Sequence, residues 1–243
     1  MKTLYFECNM GAAGDMLMAA LLELHPDPLG FLQELNNIGI PGVAVRSNLS
    51  AKCGITGTHI QVKVNGREEI SHDHHHEHDH DHHNHGHHSH EHHAHGHHNH
   101  EHHSHEHHSH EHQSHEHHDH DHHSHGSYHE IKHTLSHLKV SEAVKSHALG
   151  IYQLIAEAES HAHGVPVSQI HFHEVGELDA VADIVGVCML IEALAPDVIL
   201  ASPIHVGSGQ VRCAHGILPV PAPATAHILQ DVPIYGGDVC GEL

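Results

Sequence analysis

Thr3-Leu4-Tyr5-Phe6-Glu7-Cys8-Asn9-Met10-Gly11-Ala12-Ala13-Gly14-Asp15-Met16-Leu17-Met18-Ala19-Ala20-Leu21-Leu22-Glu23-Leu24 decides the fold class of this 243-residue chain. Thr3 to Cys8 reads as a β-strand, because Leu4, Tyr5 and Phe6 form a short apolar run. The small residues from Gly11 to Gly14 permit a tight turn, and a helix follows from Asp15, a natural N-cap, to about Leu24. Working outward, a second helix is expected from Pro28 to Ile38, ending at Gly39 and Pro41. Val43 to Leu49 and His59 to Val64 read as strands joined through Gly54 and Gly57. Further along, Tyr128 to Leu138 is a short helix, Ser141 caps a longer one reaching about His163, and Glu177 to Leu194 is strongly apolar on one face. Val198 to Ala201 and His205 to Val206 read as strands, and Pro221 to Leu229 as a last helix. This order predicts an α/β fold, a mixed sheet with packed helices, interrupted by a long disordered His-rich loop. Residues 1–70 and 127–243 are expected to form one α/β domain, since neither flank alone offers a sheet and its covering layer.

The interruption is Ser71 to Gly126, which holds 32 of the 45 histidines among Asp, Glu, Ser, Asn and Gly, with no apolar residue larger than Ala94. Having nothing to bury, it cannot offset an ordering entropy of roughly 1–2 kcal/mol per residue and is expected to be disordered without metal. Its loose Ser-His-Glu-His repeats are low complexity rather than a solenoid. Imidazole nitrogen suits nickel, zinc, copper and cobalt, whereas magnesium and calcium prefer all-oxygen sites. An ordinary imidazole pKa near ~6.5 leaves most of the rings with a free lone pair just above neutrality. Expected metal ligands are His72, His74, His75, His76, His78, His80, His92, His93, His107, His108, His117, His118, His122 and His123. Affinity order alone does not separate nickel from zinc, and copper would outbind both.

Formal net charge is −22, with 31 acidic against 9 basic residues, which disfavours nucleic acid and anionic membrane surfaces as partners. No stretch is apolar for the ~18–20 residues that a spanning helix needs, and no basic start leads into an apolar run. A cytoplasmic location is expected. The five cysteines are scattered with no Cys-x-x-Cys, which fits free thiols in a reducing compartment.

Three segments concentrate chemistry outside the tract. In the first, Gly11, Gly14 and Asp15 sit where the opening strand meets its helix. Backbone amides there can hold a phosphate or carboxylate, although neither G-x-G-x-x-G nor the P-loop is matched and a capped turn explains the same residues. The second runs from His171 to Asp183. His171 and His173 project to one side if extended, Glu174 follows, and Asp179 and Asp183 share a helix face four residues apart. Together they supply the ligands of an ordered metal centre or a general base, the alternative being caps and surface acids. In the third, glycines and prolines shape a loop bearing His205 and His215, candidate ligand-binding residues.

At these segments the sequence resembles the LarC family of nickel insertion proteins: GAAGDM at 11–16, HFHEVGELDAVADIVG at 171–186, ASPIHVGSG at 201–209 and HGILPVPAPAT at 215–225. The resemblance implies insertion of Ni(II) into pyridinium-3,5-bisthiocarboxylic acid mononucleotide, with two sulfur–nickel bonds and one carbon–nickel bond. The product is the nickel-pincer cofactor of lactate racemase, and CTP is consumed with a divalent cation. It also implies a lyase-class nickel chelatase with that mononucleotide as substrate and lactate racemase as the protein served. With that activity in view, His171, His173, Glu174, Asp179 and Asp183, read above from their spacing, are the catalytic candidates, a carboxylate or imidazole among them taking the ring proton; His171 and His173 are also expected to contact nickel, and Gly11, Gly14, Asp15, His205 and His215 to bind the organic ligand. The family continues beyond Gly241-Glu242-Leu243 through a Thr-Pro-Thr-Gly segment into a domain associated with CTP. This chain is therefore expected to be the amino-terminal part, needing the carboxyl-terminal part for insertion; a nickel store or metallochaperone is the alternative.

Deleting residues 71–126 is expected to leave the rest folded and to lower the number of nickel ions bound, with cofactor maturation falling mainly when nickel is scarce. Loss of activity at saturating nickel would show that the tract is more than a reservoir.

Overall fold

The computed structural model describes residues 1–68, 126–172, 177–213 and 215–243. Every candidate tract ligand from His72 to His123, and also His173 and Glu174, lies outside the described residues.

The chain opens with β1 (Thr3–Phe6), α1 (Gly14–Leu24) and α2 (Pro28–Leu35), then β2 (Val43–Lys52), β3 (Ile55–Val64) and β4 (Arg67–Glu68). Beyond the tract come α3 (Tyr128–His137), α4 (Glu142–His163), α5 (Leu178–Leu194) and β5 (Val198–Ala201). The last third holds β6 (Ile204–His205), β7 (Gly207–Ser208), β8 (Gln210–Cys213), β9 (Gly216–Pro219), α6 (Pro223–Ile228), β10 (Ile234–Tyr235) and β11 (Gly241–Glu242).

The class is mixed α/β, but the single mixed sheet expected from the sequence is replaced, among the described residues, by five small sheets. β1 pairs in parallel with β5, Thr3 opposite Val198 and Phe6 opposite Ala201. β2, β3 and β4 form an antiparallel sheet of their own. The reason is local: β2 and β3 close on a two-residue turn in which Cys53 (φ 53°) and Gly54 (φ 80°) both have positive φ, the backbone that joins twisted strands most tightly. The strands therefore run on to Lys52 and Ile55, and Gly57 lies within β3 rather than in the turn. In the last third, strands of two to four residues pair only in twos: β6 with β10, β7 with β11 and β8 with β9.

One hydrophobic core draws on both sides of the tract. Met18, Leu21 and Leu22 of α1 meet Phe31 and Leu35 of α2, Val45 and Ile60 of the hairpin, and Val181, Val185 and Leu190 of α5. Val144, Ala148, Tyr152 and Ala156, four residues apart, form the buried stripe of α4. Ser141 caps α4 by accepting a hydrogen bond from the Val144 amide at 3.1 Å, and Gly164 (φ 67°) ends it in the left-handed conformation. α1 differs from expectation: its N-cap is Ala13, and Asp15 lies in the first turn, accepting from the Met16 amide at 2.8 Å. A carboxylate there still complements the positive end of the helix dipole. Among the described residues no helix is long and apolar enough to cross a membrane.

Leu190→Ala empties a fully buried position and is expected to cost about 2–5 kcal/mol in urea unfolding, whereas Leu49→Ala, 84% exposed, should stay within ~0.5 kcal/mol. Equal losses would contradict this placement of the core.

Candidate functional site

Two carboxylates of α5 face the start of α1. Asp179 and Asp183 lie one turn apart, and Gly14, the first residue of α1, lets the two helices come together: a Cβ there would stand 2.9 Å from Asp183 Cβ and 3.1 Å from its Oδ2. At this junction Asp179 Oδ1 and Asp183 Oδ1 are both buried and accept no hydrogen bond. Burial, with the negative charges of Asp15 and Asp179 beside it, pushes the Asp183 carboxyl up to about 7. From α4, the fully buried Tyr152 completes the group; burial and then the Asp179 and Asp183 charges hold its hydroxyl above the ordinary phenol range. Phe172 packs on Tyr152 with ring centres 6.0 Å apart. A carboxyl pushed up toward neutrality, with one oxygen lacking a hydrogen bond and like charges beside it, is suited to taking up a proton.

The other face of the β1–α1 turn carries His205. Its backbone amide donates to the Cys8 carbonyl at 3.0 Å, which continues the β1–β5 pairing beyond the strand ends. The ring is 6% exposed, stacks on Tyr235 with centres 4.8 Å apart, and packs against Gly237; its Nδ1 is buried without a partner. Tyr235 in turn donates to Asn9 Oδ1 at 3.3 Å. Gly11 (φ 88°) is buried, and a Cβ there would lie 2.6 Å from the Leu243 carbonyl carbon. That turn therefore serves close backbone approach on one side and approach to Asp183 on the other.

The structure thus gathers Gly11, Gly14, Asp15, Asp179, Asp183 and His205 around one turn. The structure places exposed His171 in a backbone bridge with Ser127, and the His215 ring 4.8 Å from that of His163 at the end of α4. Sequence reading passed over Tyr152, Tyr235 and Asn9. A tyrosine within the four-residue buried stripe of α4 was the available signal for the first, because a buried hydroxyl needs a polar neighbour. Among the described residues no three His, Cys, Asp or Glu side chains converge to hold a metal ion.

A family model described as nickel insertion protein matches residues 4–243. Three relatives named pyridinium-3,5-bisthiocarboxylic acid mononucleotide nickel insertion protein align with nearly the whole chain. The Clostridium acetobutylicum protein is 40% identical, covering 98% of this chain and 52% of its own length. That of Clostridium kluyveri is 36% identical, covering 98% and 49%, and that of Geobacillus kaustophilus 33% identical, covering 100% and 48%. The chain spans about half the length of these curated relatives. No solved structure matches it significantly.

Because the folded state holds the Asp183 proton more tightly than the unfolded chain does, the stability this carboxyl contributes is full below about 3.8 and is lost as pH rises through about 7. Asp183→Asn should therefore gain stability over the parent progressively between these values and hold a constant advantage of about 1–3 kcal/mol above them. Urea midpoints across that range check this; an advantage independent of pH would mean that folding leaves the proton affinity of Asp183 unchanged.

Proposed function

The chain belongs to the nickel insertion protein family, and on that ground we propose that it takes part in inserting Ni(II) into pyridinium-3,5-bisthiocarboxylic acid mononucleotide. The observation that carries the mechanism is the half-buried Asp183 carboxyl at the α1–α5 junction, whose Oδ1 is buried without a hydrogen bond and which burial pushes up to about 7. In its ionised form Asp183 removes the proton from the ring carbon. The electron pair of that C–H bond becomes the carbon–nickel bond, while the two thiocarboxylate sulfurs bind the same ion. Burial first, and then the charges of Asp15 and Asp179, keep the proton affinity of Asp183 high, and Tyr152 fixes its surroundings.

Gly11, Gly14 and Asp15, with His205 and His215, are assigned to the mononucleotide: the turn offers backbone amides to its phosphate and the His205–Tyr235 pair an aromatic surface. His171, His173 and Glu174 are assigned to nickel delivery, and the histidines of the tract to its accumulation. The complete reaction is that of a CTP-dependent cyclometallase of the lyase class. CTP and its divalent cation bind a carboxyl-terminal part matching the remaining half of the relatives' length, and the product goes to lactate racemase in the cytoplasm. The histidine tract favours a second reading, a nickel store or metallochaperone without insertion activity of its own.

Nickel insertion measured with purified chain, mononucleotide and CTP, with and without the carboxyl-terminal part, separates the two readings. Asp183→Asn is expected to slow insertion by about 10²-fold or more with the number of bound nickel ions unchanged. His171→Ala with His173→Ala should impair it even in excess nickel. Parent-like rates in Asp183→Asn would remove the carboxyl from the mechanism, and nickel binding without insertion in every combination would leave the storage reading.

A further inference from the structure

At the C-terminal end of α4, away from any residue assigned to the carboxylate junction, two imidazoles lie face to face. His161, in the last turn of α4, stacks on His227 of α6 with ring centres 4.4 Å apart and planes 24° from parallel. The pair lines a shallow cavity with Ala162, Pro223, Ala226 and Gln230. His227 Nδ1 is buried there without a hydrogen-bond partner, while His161 is exposed. We infer that this pair is an open binding site for a borderline divalent transition-metal ion, held by two imidazole nitrogens and completed by water or the Gln230 amide oxygen.

Four observations converge on it. Two imidazoles that share one ion at about 2.0–2.1 Å hold their ring centres about 4.5–5.2 Å apart, close to the 4.4 Å observed, and the rings must turn from their stacked arrangement to aim both nitrogens at it. Coordination would give the stranded His227 nitrogen a partner, whereas stacking alone does not. The last turn of a 22-residue helix presents the negative end of its dipole, which favours a cation. On the same turn His163 carries a carboxylate, Glu159, 3.4 Å from its Nε2, and has the His215 ring 4.8 Å away, so the surroundings add negative charge and further imidazole. With only two nitrogen ligands the ion stays labile, as suits cargo in transit rather than a structural ion. The inference rests on the nickel reading only for the identity of that ion.

The test is residue-resolved carbethoxylation of the intact chain, read by peptide mass mapping, with Ni(II) above saturation of the tract. His161 and His227 should react about tenfold more slowly with nickel than without, relative to exposed His147, and His227→Gln should abolish the protection of His161 while leaving the circular dichroism unchanged. Unaltered reactivity of both rings, or protection of His161 that survives His227→Gln, would overturn the shared site. Protection confined to residues 71–126 would leave the nickel reading standing without this site; no protection of any histidine would end both.

Discussion

The close approach of α1 to α5 is the constraint on which the remaining features depend. Two glycines permit it. Gly14 brings the start of α1 against the Asp183 side chain, and Gly186 lets Met18 lie over α5, where a Cβ would stand 2.9 Å from the methionine Cε. Between them the seam is filled by Leu21, Leu22, Val181, Ala182 and Val185. A methyl group at either glycine would force the helices apart or the side chains aside, and the junction would admit water. Its electrostatics follow from that packing. Asp183 is pushed up first because it is largely buried and second because Asp15 and Asp179 are near.

That seam also places the β1–α1 turn. β1 is held by β5 and leads through Cys8, whose carbonyl accepts from His205, so the turn is fixed by a strand pair on one side and a helix seam on the other. His205, Tyr235 and Asn9 then form a chain of contacts across the outer side of the turn. Gly11, Gly14 and Asp15, assigned to the organic ligand, thus lie on one short piece of backbone against which the proton-transfer carboxyl of Asp183 packs. Movement of α1 along α5 would alter both sets together.

How much of this the sequence disclosed depended on whether the cause was local. Ser141 as a cap and the end of α4 were readable because hydroxyl caps and a left-handed glycine act within one turn. The reach of the β2–β3 hairpin was underread because its turn uses Cys53 before Gly54 where Asn or Asp is usual. β8 and β9 were read as a proline- and glycine-shaped loop because each strand is only four residues long. The α1–α5 seam was not readable. Nothing near Gly14 names Asp183 as its neighbour, and Asp15 was read as a cap because it is polar at a helix start, although Ala13 holds that position.

The proposed base and the histidines that would bring nickel share a pH window for unrelated reasons. Ordinary imidazoles near ~6.5 offer lone pairs only above that value, and burial brings Asp183 to about 7 from a much lower starting point. An ordinary exposed carboxylate would be ionised well below the pH at which imidazoles bind metal, but it would be too weak a base to hold a proton drawn from carbon near neutrality. Raising its proton affinity gives a stronger base that is free at the same pH as the metal ligands. The same shift makes the ionised form the less stable fold, since the charge stands in a site without hydrogen-bond donors to Oδ1. Strain of this kind persists at a site that uses it, and the apolar seam between α1 and α5 supplies the packing that tolerates it.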